Sequence, residues 1–381
     1  MVNVARRLDW GQVGLLPPPG LAVAMLEGLS WYGRDFRMIF APWSVNPSLP
    51  DMKTLDRIEC GLPVRSTTKR KYLGFLGSVA DLDSINPLLD QWAAKGVDQT
   101  ALFWRGLAYS LEQKPSYPGT RTEIKRLVDT QTSLRRRCLG EERSVWSSHW
   151  FDVLDGLSYL GPNGQYFRDC LWNGRARSVA GDSQENARGF ACEPHLLTAE
   201  VVSSGCMRLA IRIMQDLNQM ASDALSVTEA EAIVPMNLLD EVLVGDGHSG
   251  SNRPFGRLLS LWQRQLYGVS KEEWTLAEMA HSVPTRRRKG GNGGDPEEEK
   301  RRFREWRNGK EIPTSRATAL FVRDLLRRAH GYRHPPHEFL WIRLATLSLA
   351  FERLQREVQA RQCSTSIIQE AYQRQRRHLQ V

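Results

Sequence analysis

Arg301, Arg304 and Arg307 stand three residues apart in the run Lys300-Arg301-Arg302-Phe303-Arg304-Glu305-Trp306-Arg307. On a helix, residues three apart are neighbours, so these arginines form one ridge. A guanidinium fork matches the oxygens of a phosphate better than an ammonium does. Upstream lie four consecutive cations, Arg286-Arg287-Arg288-Lys289, followed by Gly290-Gly291. The chemistry these residue types offer is neutralisation of a polyanion. With Lys300 they are the candidate nucleic-acid contacts: Arg286, Arg287, Arg288, Lys289, Lys300, Arg301, Arg304 and Arg307. Phosphate contacts of this kind supply affinity and position, and carry no base information.

Other reactive residue types do not assemble into a site. Cys192-x-x-His195 is one close ligand pair, with Cys170 and Cys206 further away. Structural zinc normally has two close pairs, so no metal is expected. Pro335-Pro336, between His334 and His337, prevents a shared helix face for His330, His334 and His337 and points to a surface loop. The sequence has no phosphate-binding G-x-x-x-x-G-K-[ST] loop, no H-E-x-x-H and no G-x-S-x-G. Gly245-Asp246-Gly247-His248-Ser249-Gly250 places Asp, His and Ser side by side, but a catalytic triad is a spatial arrangement and not a run of neighbours. No catalytic residue and no cofactor is expected.

Charge is distributed unevenly. The chain of 381 residues carries 52 Lys/Arg, 42 of them Arg, against 43 Asp/Glu. Residues 271–381 hold 23 basic and 14 acidic residues; residues 1–270 hold 29 of each. The whole excess of +9 therefore sits in the last 111 residues. This suggests a neutral body joined to a polyanion-facing module. At 41% hydrophobic and 25% charged residues, the composition is that of a globular protein and excludes wholesale disorder. Six cysteines are too few for a disulfide-stapled mini-protein. Pro17-Pro18-Pro19 interrupts the first apolar run, so no targeting segment is expected, and no run of about 18 apolar residues exists to span a membrane. A cytoplasmic setting with free thiols is the corresponding expectation.

The elements that must hold these residues read as mainly α. Residues 1–65 are irregular, with one short helix near 20–29 and a strand-like run at 36–40. Helices are expected from Ser84 to Gly96, from Asp98 to before Pro115, from Thr120 or Thr122 to Gly140, over about 143–160, and from 195 to 222. The last of these carries Leu197, Val201, Met207, Ile211 and Met214 on one side. Residues 162–194 and 245–254 read as loops. Residues 283–295 hold four glycines and four cations with no large apolar side chain after Val283, and are expected to be a mobile loop. In 271–381, Leu276–Ala280 is a short helix with Leu276, Met279 and Ala280 inward. Pro296 opens a second helix, with Phe303 and Trp306 sharing its buried face, and Asn308-Gly309 closes it. Thr314 or Ser315 caps a third, with Leu320, Phe321, Leu325 and Leu326 inward. Leu340, Leu344, Leu347, Phe351, Leu354 and Val358 alternate steps of four and three. That seam over 340–358 suits packing within the chain or a homodimer. Of the 12 tryptophans, most are expected in the core, while Trp306 and Trp341, beside arginines, could stack bases.

The segment Phe303-Arg304-Glu305-Trp306-Arg307-Asn308-Gly309-Lys310-Glu311-Ile312-Pro313-Thr314-Ser315 resembles the end of the recognition helix, and the turn after it, in phage-repressor-like helix-turn-helix domains. Leu276–Ala280 is similar to the first helix of that motif. The resemblance covers about residues 271–330, and it implies DNA as the partner, more than RNA. Two features depart from the motif. Residues 281–295 replace a turn of about three or four residues. Three glutamates, 297–299, open the helix where the family places base-contacting residues. The reading is a non-catalytic nucleic-acid-binding protein: a multi-helix body, residues 1–270, and a basic helix-turn-helix-like module, residues 271–381. The alternative is an accessory subunit of a larger nucleoprotein complex, docking its body on protein partners. An enzyme with an unrecognised site is the third reading. No membrane partner is expected.

Overall fold

The computed structural model describes residues 14–18, 21, 24–25, 117–139, 143–161, 164–166, 168, 194–224, 238–243, 253–270, 274–285, 295–330 and 338–380. Among these residues the fold is mainly α with no strand. The principal helices are α1 (Pro118–Leu139), α2 (Arg143–Gly156), α3 (Pro194–Ala224), α4 (Leu238–Leu243), α5 (Pro254–Ser270), α6 (Leu276–Ala280), α7 (Pro296–Arg307), α8 (Ser315–Ala329), α9 (Glu338–Ala360) and α10 (Ser366–His378). The helices expected from Ser84 and Asp98, the strand-like run 36–40 and the loop 245–250 lie outside the described residues. None of the described helices is long and apolar enough to cross a membrane.

The chain divides into two compact units. The first comprises residues 1–22, 43–213 and 355–381, the second residues 23–42 and 214–354. The basic segment 271–381 is thus shared between them. The charge step after residue 270 is a boundary of composition, and packing continues upstream of it: α5 packs on α7 and α8.

In the first unit, α1 and α2 pack together. α1 starts at Pro118, two residues before Thr120, because proline suits a first helical turn. α2 ends at Gly156 and not near residue 160. Ser158 turns left-handed (φ 55°), and the Tyr159 amide closes back onto the Leu154 carbonyl at 2.8 Å. Tyr159 is then buried, and its hydroxyl donates to the Leu15 carbonyl at 2.8 Å. The centre of this unit is polar. Arg208 of α3 is buried and donates through Nε to Glu123 of α1 and through a terminal nitrogen to Gln375 of α10 at 2.8 Å. The Gln375 amide donates to the carbonyls of Leu157 and Ser158. A buried charge is tolerated only when paired and hydrogen-bonded, and this network meets that condition.

Burial works to raise the Glu123 carboxyl, but hydrogen bonds from Arg126 and Arg208 and the charges of both outweigh it and hold the group below its ordinary value. A depressed carboxylate adds stability that is present above its unfolded-chain value and lost as pH falls through its folded value. Thermal melts of Glu123→Gln and wild type across the acid range should therefore converge at low pH and separate at neutral pH. A constant gap at every pH would mean that the carboxylate's charge is not what the fold uses.

In the second unit, Arg257 at the start of α5 donates to the Val242 carbonyl at the end of α4 at 3.1 Å, which ties the two helices. Phe255, Leu258, Leu259, Trp262 and Leu266 of α5 are buried. Arg323 of α8 reaches Glu338 of α9 at 2.6 Å. Trp341 is buried against Trp262, ring centroids 5.1 Å apart. Of the 340–358 seam, Leu340, Leu344, Leu347, Phe351 and Leu354 lie in this unit and are buried; Val358, in the first unit, is buried as well.

Candidate nucleic-acid interface

The geometry of α6, α7 and α8 follows from their ends. Thr275 caps α6: its hydroxyl accepts from the Glu278 amide at 3.2 Å, and its own amide and hydroxyl donate to the Glu278 carboxylate. The bond from the Thr275 amide, then that from its hydroxyl, holds the Glu278 carboxyl below its ordinary value. Asp295, immediately before Pro296, caps α7 through the Glu297 amide at 3.1 Å. Thr314 caps α8 through the Ala317 amide at 3.2 Å. Gly309 ends α7 with φ +65°, a conformation that costs a glycine nothing. A Cβ there would also lie 2.9 Å from a carboxylate oxygen of the buried Glu352.

Packing then sets the rotation of α7, which packs on α5 and α6. Phe303 and Trp306 are buried, at 3% and 1% exposure, and both rings meet Phe321 of α8, at 6.0 and 5.9 Å. Trp306 and Trp341 are therefore core residues; neither presents a face on which a base could stack. Met279 and Ala280 are buried as expected, while Leu276 is half-buried. On α8 the buried stripe runs Thr318, Ala319, Phe321, Val322, Leu325, Leu326 and Ala329. Leu320 is 43% exposed, because at about 100° per residue it falls nearly opposite Val322 and Ala329, in the middle of that stripe.

With the aromatic face inward, the outermost stripe of α7 is Glu297, Arg301, Arg304 and Asn308, all exposed. Lys300 and Arg307 flank it, half-buried. The structure thus gathers Lys300, Arg301, Arg304 and Arg307 on one helix. Arg286, Arg287, Arg288 and Lys289 lie outside the described residues. These four candidate contacts are not equivalent. Lys300 contacts the Glu297 carboxylate at 3.2 Å. One terminal nitrogen of Arg301 contacts both carboxylate oxygens of Glu305, at 2.9 and 3.0 Å. Arg304 is exposed and makes no ion pair among the described residues; its Nε donates to the Lys300 carbonyl at 3.2 Å.

Two groups in this region do structural work that the spacing of the arginine ridge did not reveal. Arg302 lies over the Trp306 ring, 5.4 Å from its centroid, donates to the Pro284 carbonyl at 2.6 Å and reaches Glu311 at 3.3 Å. It fastens α7 to the chain on both sides, and the four-residue step from Arg302 to Trp306 is its sequence signal. Glu299 is 9% exposed and pairs with Nδ1 of His281 at 3.1 Å. Only Glu297 and Glu298 of the three glutamates therefore face outward. The His281 carbonyl accepts from Arg328 at 3.2 Å, which closes the link from α6 to α8.

No group of three or more possible ligands occurs among the described residues. Cys206 is buried, and burial pushes its thiol well above the ordinary range. Cys170, Cys192, His334 and His337 lie outside the described residues. His330 ends α8, its amide donating to the Leu326 carbonyl at 2.9 Å, and burial holds its ring below the ordinary value.

No family model matches the sequence, and comparison with curated proteins and with solved structures returns no match.

Proposed function

We propose that the protein binds duplex DNA non-catalytically, through phosphate contacts made by the outer face of α7 and by the cations of residues 286–289. The observation that carries this reading is the rotation of α7. Phe303 and Trp306 occupy the core, which turns Arg301 and Arg304 outward in the segment that holds the whole charge excess. In this reading α6 and α7 serve as the two helices of a helix-turn-helix-like module, and the protein works in the cytoplasm.

The acidic first turn of α7 shapes the mode of binding. Glu297 and Glu298 repel phosphates at the end that a recognition helix presents to base edges. The grip is therefore on the backbone, from the C-terminal half of α7, and duplexes of unrelated sequence are bound alike. Fluorescence anisotropy of the full chain with two unrelated duplexes over a salt series tests this. Equal affinities and a steep fall of log K with log salt are expected. Arg304→Gln should flatten that slope by about 0.9, one phosphate's share. Absence of duplex binding at low salt would overturn the reading.

A further inference from the structure

We infer that Glu305 restrains Arg301, so that α7 meets DNA with the Arg304 guanidinium ready and that of Arg301 held in reserve. This rests on the function proposed above. Arg304 makes no ion pair among the described residues, whereas a nitrogen of Arg301 contacts both oxygens of Glu305. The pair is local, four residues apart on one helix, and its members are 58% and 30% exposed. Such a pair is weak enough to exchange with solvent and with anions. It still sets a competition. A phosphate that takes Arg301 must displace a carboxylate, and the displaced carboxylate then stands beside the phosphate as a like charge.

The consequence is a graded affinity. In the wild type, Arg301 contributes little to the salt slope, because the exchange replaces one anion by another and leaves Glu305 uncompensated. With Glu305→Gln the guanidinium is free to neutralise a phosphate and release its counterion. Among the described residues the Glu305 side chain makes no hydrogen bond or ion pair besides that with Arg301; its bonds to Lys310 and Glu311 come from its backbone carbonyl.

The experiment is a double-mutant cycle in the full chain, comparing wild type, Arg301→Gln, Glu305→Gln and the double variant for duplex binding over a salt series. Unchanged melting temperatures establish that α7 is intact. Glu305→Gln should bind about five- to tenfold more tightly at roughly 0.1 M salt and steepen the slope by about 0.9. The double variant should lose that gain. If the wild type binds and Glu305→Gln does not gain, or gains equally without Arg301, the restraint is refuted while the proposed function stands. If neither the wild type nor Glu305→Gln binds duplex, both fail together.

Discussion

Trp306→Ala is expected to unfold the packing of α5, α7 and α8 and to abolish duplex binding, while Arg304→Ala leaves the melting temperature nearly unchanged and weakens binding only. Trp306 is almost wholly buried and meets Phe321 edge-on. Truncating a large aromatic in a core costs about 3–5 kcal/mol, and loss of the aromatic pair adds about 0.5–1.5 kcal/mol. Arg302 loses the ring it lies over, and with it part of the clamp on Pro284 and Glu311. A domain stable by only about 5–15 kcal/mol has little reserve against that sum. Arg304 gives up one bond to a backbone carbonyl on an exposed face, a change of about ±0.5 kcal/mol. Thermal melts followed by circular dichroism, alongside anisotropy, separate the two variants. Equal melting temperatures would mean that α7 is rotated about its axis from the orientation described. The variants belong in the full chain, since a cut after residue 270 would part α5 from α7 and α8, on which it packs.

The helices around the candidate interface are legible because each carries its own end signals within a few residues. Thr275, Pro296, Asn308-Gly309 and Thr314 mark where α6, α7 and α8 start and stop, and the three-residue step from Phe303 to Trp306 marks the buried face. Leu320 shows the limit of that reading. Hydrophobicity alone puts it with Phe321, but the stripe is decided by which residues α8 meets, and Leu320 falls on the opposite side. Trp306 and Trp341 show the same limit from the other direction. Proximity to arginines in sequence says nothing of whether a ring is covered. The polar centre of the first unit left no trace in the sequence, since Glu123, Arg208 and Gln375 are 85 and 167 residues apart and meet only through packing. By contrast, the pairing of Arg301 with Glu305 is a four-residue step open to direct inspection. Cations repeating every third residue make the ridge the more conspicuous pattern, although the carboxylate lies only one turn on from Arg301.

Replacing Arg286, Arg287, Arg288 and Lys289 together by alanine is expected to flatten the plot of log K against log salt by roughly 3 to 4, and to weaken duplex binding by about a thousandfold near 0.1 M salt. The argument is one of charge. Four of the cations in the segment that holds the whole excess are consecutive here, and adjacent like charges repel one another until an anion screens them. Each phosphate they neutralise releases its counterions and contributes about 0.9 to the slope. Against this, each backbone residue fixed on binding costs about 1–2 kcal/mol of conformational entropy. Net affinity therefore requires that most of the four engage at once, and a variant lacking only one should lose more than a quarter of the effect. The loss should be equal on unrelated duplexes, because phosphate contacts do not report sequence. If base reading by α7 governs binding, the alanine variant changes the slope little, and replacing Arg301, Arg304 and Arg307 removes a preference between duplexes. An unchanged slope would make residues 286–289 a linker. Arg304 would then meet phosphates beside the carboxylates of Glu297 and Glu298 without the four upstream cations, and the basic end of the chain would have to find its anion on another protein.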